Sequence, residues 1–490
     1  MTSHRDLSRS DATRLMCAGT YSDPEFRKRV VEELKTFAHR VAPSYGYDAV
    51  PVLAHALAAH QQRLYQVGLT AMGAGVITML WLVGPLDFIS ALLLLGFVAW
   101  TFSFLRRLVV IETLVTRLKA GAFTGACPQT AALTPALVDR VTQEQAVDGV
   151  IYYGGYKPFV GAGEAVKEWS NAQVLLPARV DPLAAAIGRR NGDDTSANSH
   201  GSGRIVPFTI EEITAFVERR LLTALREEAV EGHKVEGLTI ERPRYRKVVG
   251  FGEPQPDGSV SFDTIHWKEN YDAAREYLCI RVGSWNQELV TSMFVGFDLR
   301  GETLYTEFHT YVLAPIKGRY HVVDRLPSDL GSGVLWRAAW DALKAVAVEA
   351  FAPFAELMKF VGRSLERGGR GHAPGGGDLN LFAYTVPGVG RGAAVSMREL
   401  AASPVYHHFF QKSDTDKYMK IVERCLLEAV ETFLRDHNVD LADHAVFQNT
   451  ILGDVIAHHG NGHISSRNSG TQTQGDGSPI HTTAGKGGSS

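Results

Sequence analysis

The sequence predicts an α+β protein with a two-helix transmembrane hairpin, and three patterns support this fold class. Residues 64–105 are almost free of charged side chains, which is typical of membrane-spanning helices. Residues 238–324 alternate apolar and polar side chains with a period of two, which is typical of an antiparallel sheet. Helical periodicity at 210–231, and again from Val334, predicts helices that cover this sheet.

The 490 residues are enough for several folded units, and changes in composition indicate where those units begin and end. The C-terminal stretch is rich in Gly, Ser and Thr, so we expect a disordered tail, although its first dozen residues, VFQNTILGDVIA, are compatible with one more strand. The predicted units are a short helical cytoplasmic segment (1–63), the transmembrane hairpin (64–105), a juxtamembrane stalk (106–121), an α+β cytoplasmic domain (122–367), a Gly-rich linker (368–380), a helical C-terminal segment (381–445) and a flexible tail (446–490).

The hairpin at 64–105 is predicted to anchor the chain in a lipid bilayer. No charged residue occurs in 64–86 or in 88–105, and Asp87 lies in the turn motif GPLD. One straight helix of this length would measure about 60 Å, twice the ~30 Å hydrocarbon core of a bilayer. We therefore expect two spans joined by a turn that places Asp87 at the interface, where a carboxylate costs little. The alternative is a buried helical hairpin in a soluble core.

The basic residues around the hairpin predict its orientation. Arg63 precedes the first span, Arg106, Arg107, Arg117 and Lys119 follow the second, and the turn has no Lys or Arg. Because basic flanks stay in the cytoplasm, both termini are expected there. The four basic residues after the second span are also suited to contact anionic lipid headgroups.

Composition excludes several classes of function. A formal net charge of -3 argues against nucleic acid as a partner. The polar N-terminus, MTSHRDLSRSDATRLM, predicts no cleavable signal peptide. Histidines are frequent late in the chain, but HHGNGH has no carboxylate or thiol beside it, so neither a metal nor another cofactor is expected. The cysteines are too far apart for a CxxC motif, which fits a reducing compartment: Cys17, Cys127, Cys279 and Cys425.

Capping residues and periodicity predict individual elements. The stretch 288–315 consists of two alternating runs joined at Arg300-Gly301, a β-hairpin, and RKVVGF, SVSFDTI and EYLCIRV bring the sheet to five or six strands. Residues 413–440 carry one apolar face and predict an amphipathic helix. The predicted helix N-terminal pairs are Asp23-Pro24, Thr134-Pro135, Thr209 with Glu212, and Ser396 with Glu399.

The stretch YYGGYKPFVGAGE, residues 152–164, concentrates glycine, tyrosine and lysine. It lacks the GxxxxGK[ST] of a phosphate-binding loop and the strand-to-helix GxGxxG of a dinucleotide site, so turns between strands explain its glycines most simply. The alternative is a ligand-binding loop. The candidate binding residues in that case are Tyr153, Lys157, Gly161 and Gly163.

A second candidate site is the basic segment ERPRYRK. Arg242, Arg244 and Arg246 alternate, so an extended strand would place them on one face, where three guanidinium groups suit a phosphate or a lipid headgroup. Pro243 favours a different interpretation, an edge strand whose charges prevent unwanted pairing.

The combination of CAGTYSDPEFRKRVVEEL, VAPSYGYDAVPVL, the apolar hairpin and YYGGYKPFVGAGE resembles a group of uncharacterised membrane-anchored proteins from high-GC bacteria. This resemblance spans most of the chain. It implies a bacterial plasma-membrane location, and it implies no catalytic residues because the group has no established activity.

The sequence predicts a membrane-anchored, cytoplasmic-facing binding protein of unknown ligand, a sensor or a scaffold with a protein partner. HExxH and GxSxG motifs are absent, which does not favour an enzyme. Two alternatives stay open. One is a membrane-tethered enzyme with an anion or nucleotide site near the Gly-rich loop. The other is a lipid-binding or membrane-remodelling effector that acts through the helix from Val334 to Arg367.

Overall fold

The computed structural model describes residues 7–36, 40–154, 156–178, 204–229, 234–247, 274–327, 331–346, 392–393 and 395–453, and these residues form an α+β structure, as the sequence predicts. The predicted strand SVSFDTI, the Gly-rich linker and the tail from residue 454 lie outside the described residues.

The helices are α1 (Asp11–Ser22), α2 (Pro24–Lys35), α3 (Ala49–Val83), α4 (Phe88–Arg117), α5 (Pro135–Glu144), α6 (Ile210–Leu222), α7 (Val322–Arg325), α8 (332–346), α9 (Met397–Ala401), α10 (Phe409–Asp436) and α11 (Ala442–Gly453). The strands are β1 (Val150–Tyr153), β2 (Glu164–Val174), β3 (Leu238–Glu241), β4 (Arg244–Lys247), β5 (Arg275–Glu276), β6 (Leu278–Ser284), β7 (Leu289–Arg300) and β8 (Thr303–Leu313).

A five-stranded antiparallel sheet forms the middle layer of the protein. Its strand order is β2-β8-β7-β6-β3, and the predicted β7–β8 hairpin is confirmed, with its two-residue turn at Gly301-Glu302, one residue later than predicted. Because side chains alternate along each strand, the sheet has two different faces. Ile280, Met293 and Phe308 on one face pack against α6 and α10, which confirms the predicted amphipathic helix. Phe294 and Tyr311 on the other face pack beneath the Gly-rich loop and the small sheet.

The small sheet contains part of the arginine segment and corrects one expectation. Its order is β1-β4-β5, and β1 pairs with β4 in parallel, from Val150 opposite Arg244 to Tyr153 opposite Lys247. Only Arg244 to Lys247 of the segment lie in β4, the central strand of this sheet. Glu241 ends β3, an edge strand of the five-stranded sheet, and Arg242 and Pro243 connect the two strands. The expectation that Arg242, Arg244 and Arg246 share one extended strand is therefore wrong, whereas Pro243 does follow an edge strand.

The N-terminal helices share a second core with distant parts of the chain. α1, α2, the first part of α3, the end of α4, α5, α7 and α9 bury their apolar side chains together. Tyr320 packs its ring against Gly19 and donates from its hydroxyl to Asp23 at 2.8 Å. The first 63 residues thus do not stand alone, because their apolar face is covered by residues from the rest of the chain.

α3 and α4 each have a buried part and a bare part. Ala49 to Ala59 of α3 and Leu114 of α4 are buried in the N-terminal core. Both helices are long and apolar enough to span a membrane, and only 6% of the apolar window of each is buried. The large apolar side chains exposed on the bare parts include Leu64, Met72, Met79, Trp81, Leu82, Val83, Phe88, Ile89, Leu92, Leu93 and Phe97.

Three of the four predicted helix N-termini are confirmed. Asp23 accepts hydrogen bonds from the N–H groups of the first turn of α2, Thr134 caps α5, and Thr209 with Glu212 forms a capping box at α6. The fourth is confirmed only in part: Ser396 is the N-cap residue of α9 and its backbone N–H donates to the Glu399 carboxylate, but its side chain makes no capping hydrogen bond. The suggested strand VFQNTILGDVIA is also wrong over its described residues, since 446–453 belong to α11, where Phe447 packs edge-on against Trp169. The last four residues of that stretch lie outside the described residues.

Candidate functional site

The Gly-rich loop between β1 and β2 has a backbone that only glycine adopts without strain. Gly161 and Gly163 have φ angles of +92° and +100°. A Cβ atom added to Gly163 would lie 2.2 Å from the carbonyl oxygen of Val312 in β8. The glycines therefore serve the close approach of this loop to the sheet, as well as the turns that the sequence predicts.

A carboxylate from a distant helix lies inside the loop. Glu399, in α9, accepts hydrogen bonds at Oε1 from the backbone N–H of Gly161 at 2.9 Å and of Gly163 at 3.0 Å. Convergent backbone N–H groups of this kind form an anion-binding concavity. The protein's own carboxylate fills it, so these two N–H groups are already engaged.

Burial raises the pKa of Glu399 above the ordinary range of a glutamate. The backbone hydrogen bonds from Gly163 and Gly161 act in the opposite direction, because they stabilise the charged form. A carboxyl group under these opposed influences is able to bind and release a proton at a higher pH than an exposed glutamate.

Glu399 lies at the wall of a cavity of about 320 Å³. The wall combines apolar side chains with a small number of polar groups, which is the usual composition of a small-molecule site. Burial raises the pKa of Tyr311 to about 12, so its phenol is a neutral hydrogen-bonding group. The lining residues are Lys157, Phe159, Val160, Gly163, Glu164, Tyr311, Val312, Leu313, Ala314, Glu399, Ala402, Ser403 and Pro404.

Phe159 holds the loop on the sheet. Its ring stacks on that of Phe294 with centroids 4.1 Å apart and an interplanar angle of 13°. The rings of Tyr245, from β4, and Tyr277 meet it edge-on at 5.0 and 5.1 Å. Such aromatic pairs stabilise a fold beyond the area they bury. The position of the cavity is therefore set by three separate parts of the chain.

The structure brings only part of the predicted site together. Lys157 and Gly163 line the cavity, and Gly161 supports it through Glu399. Tyr153 lies at the end of β1, where it bridges to Ala393. The positions of these residues do not test whether they bind a ligand, so their role in ligand binding stays a prediction.

Arg244 and Arg246 lie beside β1 and Arg242 precedes β4, and none of the three lines this cavity. The Arg242 guanidinium donates to Glu218, with Nε 2.7 Å from Oε2. Arg244 pairs with Glu276 across the small sheet at 3.6 Å. Arg246 lies opposite Tyr152 in the β1–β4 ladder. Carboxylates of the protein already compensate the first two charges.

Four polar residues of the cavity were not predicted: Glu164, Tyr311, Glu399 and Ser403. The motif SMRE drew attention to Glu399, but as the partner of Ser396 in a helix cap. A local pattern cannot reveal that this carboxylate contacts glycines more than 200 residues earlier. In the described part of the chain, no group of three or more His, Cys, Asp or Glu side chains is arranged to hold a metal ion.

Comparison with known proteins identifies the larger part of this structure. Residues 168–471, well over half of the chain, match the family model described as an AbeC-like domain. The chain belongs to the AbeC-like domain family. No curated protein and no solved structure matches it significantly.

The AbeC-like domain includes most of the five-stranded sheet together with α6, α10 and α11. Lys157 and Gly163 precede the matched residues, whereas Tyr311, Glu399 and Ser403 lie within them. The cavity therefore lies at the junction between the AbeC-like domain and the segment that precedes it.

Proposed function

We propose that this AbeC-like protein is a membrane-anchored binding protein of the bacterial plasma membrane, and that its α+β body serves as a cytoplasmic sensor or scaffold. The main support is that α3 and α4 each have one part buried in the α+β body and one apolar part whose side chains are exposed. The bare parts are about 30 Å long at 1.5 Å per residue, which matches the hydrocarbon core of a bilayer.

The shape of the hairpin supports an anchor with one-sided topology. The start of α3 and the end of α4 are buried in the same core, and the turn at Gly84 to Asp87 is at the far end. If the hairpin crosses a bilayer, the whole body lies on one side of it. Arg63 and the Arg106-Arg107 pair flank the body end, which favours the cytoplasm.

Topology is tested by the accessibility of single cysteines in intact bacterial cells. A cysteine in place of Asp87 should react with a membrane-impermeant maleimide added outside, while cysteines in place of Arg63 and Lys119 should react only after permeabilisation. Protection of position 87 along with the other two would contradict a hairpin that spans the membrane. Release of the full-length protein by carbonate extraction would contradict the anchor altogether.

The cavity beside Glu399 is the proposed ligand site. Its acidic groups, Glu164 and Glu399, exceed its single basic group, Lys157. A small molecule with an ammonium group facing the two carboxylates, and an apolar part against Phe159 and Leu313, fits this distribution. The internal carboxylate in the glycine loop does not support the alternative of a phosphate or nucleotide at the same N–H groups.

This ligand site is tested by native mass spectrometry of the full-length protein, extracted from its own membrane in lipid nanodiscs. We expect a small molecule on the wild-type protein that is lost from Glu399→Gln and kept by Arg244→Ala, a control outside the cavity. Recovery of a stoichiometric protein partner would favour the scaffold over the sensor. Equal retention by both variants would contradict the cavity as the binding site.

One observation favours an enzyme as the second candidate. The raised pKa of Glu399, produced by burial, is a property of many catalytic acids. In that case the retained molecule is a substrate or product, and it would be converted during incubation with the wild-type protein. Glu399→Gln would then abolish conversion while leaving some binding.

A further inference from the structure

α8 carries three different stripes of side chains, each repeating at i, i+4 and i+7. Ala338 and Ala342 belong to a stripe that faces inward, and both are buried. Arg337, Asp341 and Lys344 form a charged stripe, and all three are exposed. An apolar stripe formed by Trp336, Trp340 and Leu343, which are 73%, 52% and 52% exposed, lies beside the charged stripe and nearly opposite the buried alanines. A soluble protein rarely leaves two tryptophans and a leucine bare on one helix face.

A hydrogen bond fixes α8 against the bare part of α4. The indole Nε1–H of Trp100 donates to the backbone oxygen of Ala339 at 3.0 Å. Trp100 lies within the charge-free part of α4, residues 88–105, six residues before Arg106. At 1.5 Å per residue, α8 crosses α4 about 9 Å to the membrane side of Arg106. This is the depth at which an interfacial helix buries its apolar face, roughly 5–10 Å into the boundary between headgroups and acyl chains.

We propose that α8 is an interfacial helix, with Trp336, Trp340 and Leu343 in the bilayer boundary and the charged stripe towards the headgroups. The inference rests on the proposed membrane anchor and adds a third contact with the lipid. Tryptophan suits this location because its apolar ring enters the acyl region while its N–H reaches the polar layer.

Two features favour lipid over a protein partner as the occupant of this face. Trp100 on the exposed apolar part of α4 contacts the backbone of Ala339, which directly precedes Trp340, so that apolar part lies close to the tryptophan stripe. The charged stripe lies next to it, as in helices that rest in the plane of a membrane surface. α8 would then set the depth and tilt of the body relative to the bilayer.

The experiment measures the depth of single nitroxide labels on the full-length protein in vesicles of phosphatidylcholine and phosphatidylglycerol. Labels are placed by Trp336→Cys and Trp340→Cys on the apolar stripe, and by Arg337→Cys and Lys344→Cys on the charged stripe as matched controls. Leu92→Cys reports insertion of the hairpin itself. The background carries Cys127→Ser and Cys425→Ser, because the other two cysteines are buried. Collision with oxygen reports lipid, and collision with a nickel chelate reports water.

We expect labels at 336 and 340 to collide several-fold more with oxygen than with the chelate, relative to labels at 337 and 344. If the labels at 336 and 340 are as accessible to the chelate as the label at 337, while the label at 92 is in lipid, the proposal of an interfacial helix is wrong. The proposed membrane anchor would then still hold. If 336 and 340 are shielded from both reagents, a protein or a second copy covers them and the inference is overturned. If 92 is also open to the chelate, the anchor and the inference fail together.

Discussion

Arg14 and Asp324 form a two-point ion pair across 310 positions of the sequence, with Nη1–Oδ1 at 2.6 Å and Nη2–Oδ2 at 3.1 Å. Arg14 lies in α1 and Asp324 in α7, and Nη1 of Arg14 also donates to the carbonyl oxygen of Leu118 at 3.2 Å. Leu118 follows directly on α4. One buried guanidinium thus joins the N-terminal helices, the base of the apolar hairpin and the segment after the sheet.

Arg14→Ala is therefore expected to lower the free energy of unfolding by about 2–3 kcal/mol. The loss is below that of a fully buried pair because the Asp324 side chain is 34% exposed. Lys28→Ala is the matched control, since its pair with Glu32 is exposed and should contribute below about 1 kcal/mol. Chemical denaturation of the full-length protein in detergent, followed by circular dichroism, measures both. Equal losses would show that Arg14 does not join these parts.

The second prediction concerns Glu423, whose side chain is 1% exposed between α10 and β2. It accepts from Lys167 Nζ at 2.9 Å and from Trp169 Nε1 at 2.8 Å. Glu423→Ala leaves both donors without this acceptor and should cost about 3–5 kcal/mol. Glu431→Ala, on the same helix, removes a partner of the exposed Arg435 and should cost less than about 1 kcal/mol. The denaturation midpoints of the two variants measure this difference in stability. Similar midpoints would contradict a structural role of the Glu423 cluster.

The elements that the sequence predicts correctly are those with local signals. The β7–β8 hairpin joins neighbouring strands through the two-residue turn Gly301-Glu302, and the Thr209–Glu212 capping box lies within one helical turn. The helical period of the apolar residues in α10 is sufficient to predict its apolar face, and this face packs on the sheet.

The elements that were missed depend on contacts between distant residues. β1 pairs in parallel with β4, from Val150 opposite Arg244, and no local pattern marks a partner so far away. The spacing of Ser396 and Glu399 predicts a local helix cap, but it carries no information on the contacts of Glu399 with Gly161 and Gly163. The glycine loop itself was found from composition, but the cavity beside it exists only once α9 is in place.

The third prediction tests the loop directly. Gly163→Ala forces a Cβ atom to 2.2 Å from the Val312 carbonyl oxygen at a φ of +100°, and should cost at least about 2 kcal/mol. Gly301→Ala is the control: its φ is +58° with no atom within 4 Å of the added Cβ, so only about 1 kcal/mol of backbone strain is expected. Denaturation of both variants gives the difference. A Gly163→Ala protein as stable as Gly301→Ala would mean that the loop does not hold this close approach.

The last prediction concerns pH and Glu399. Burial raises the pKa of this carboxyl in the folded protein, so the folded state binds its proton more tightly than the unfolded chain does. The stabilising contribution of the proton is fully present below the unfolded pKa, about 4.3, and is lost as the pH rises through the folded pKa. The stability of the wild type relative to Glu399→Gln should therefore decrease from about pH 4 upwards.

Thermal midpoints of both proteins across this range measure the effect, because their difference cancels the titration of all other groups. Glu164→Gln, which removes a charge from the exposed side of the same cavity, controls for the change in net charge. A difference that is constant with pH, or one that grows in favour of the wild type as the pH rises, would contradict a raised pKa. A ligand with an ammonium group should stabilise the Glu399 carboxylate, because the two charges attract in the cavity. With the ligand bound the folded pKa falls towards the unfolded one, so the decrease should end at a lower pH and become smaller, which links this titration to occupancy of the site.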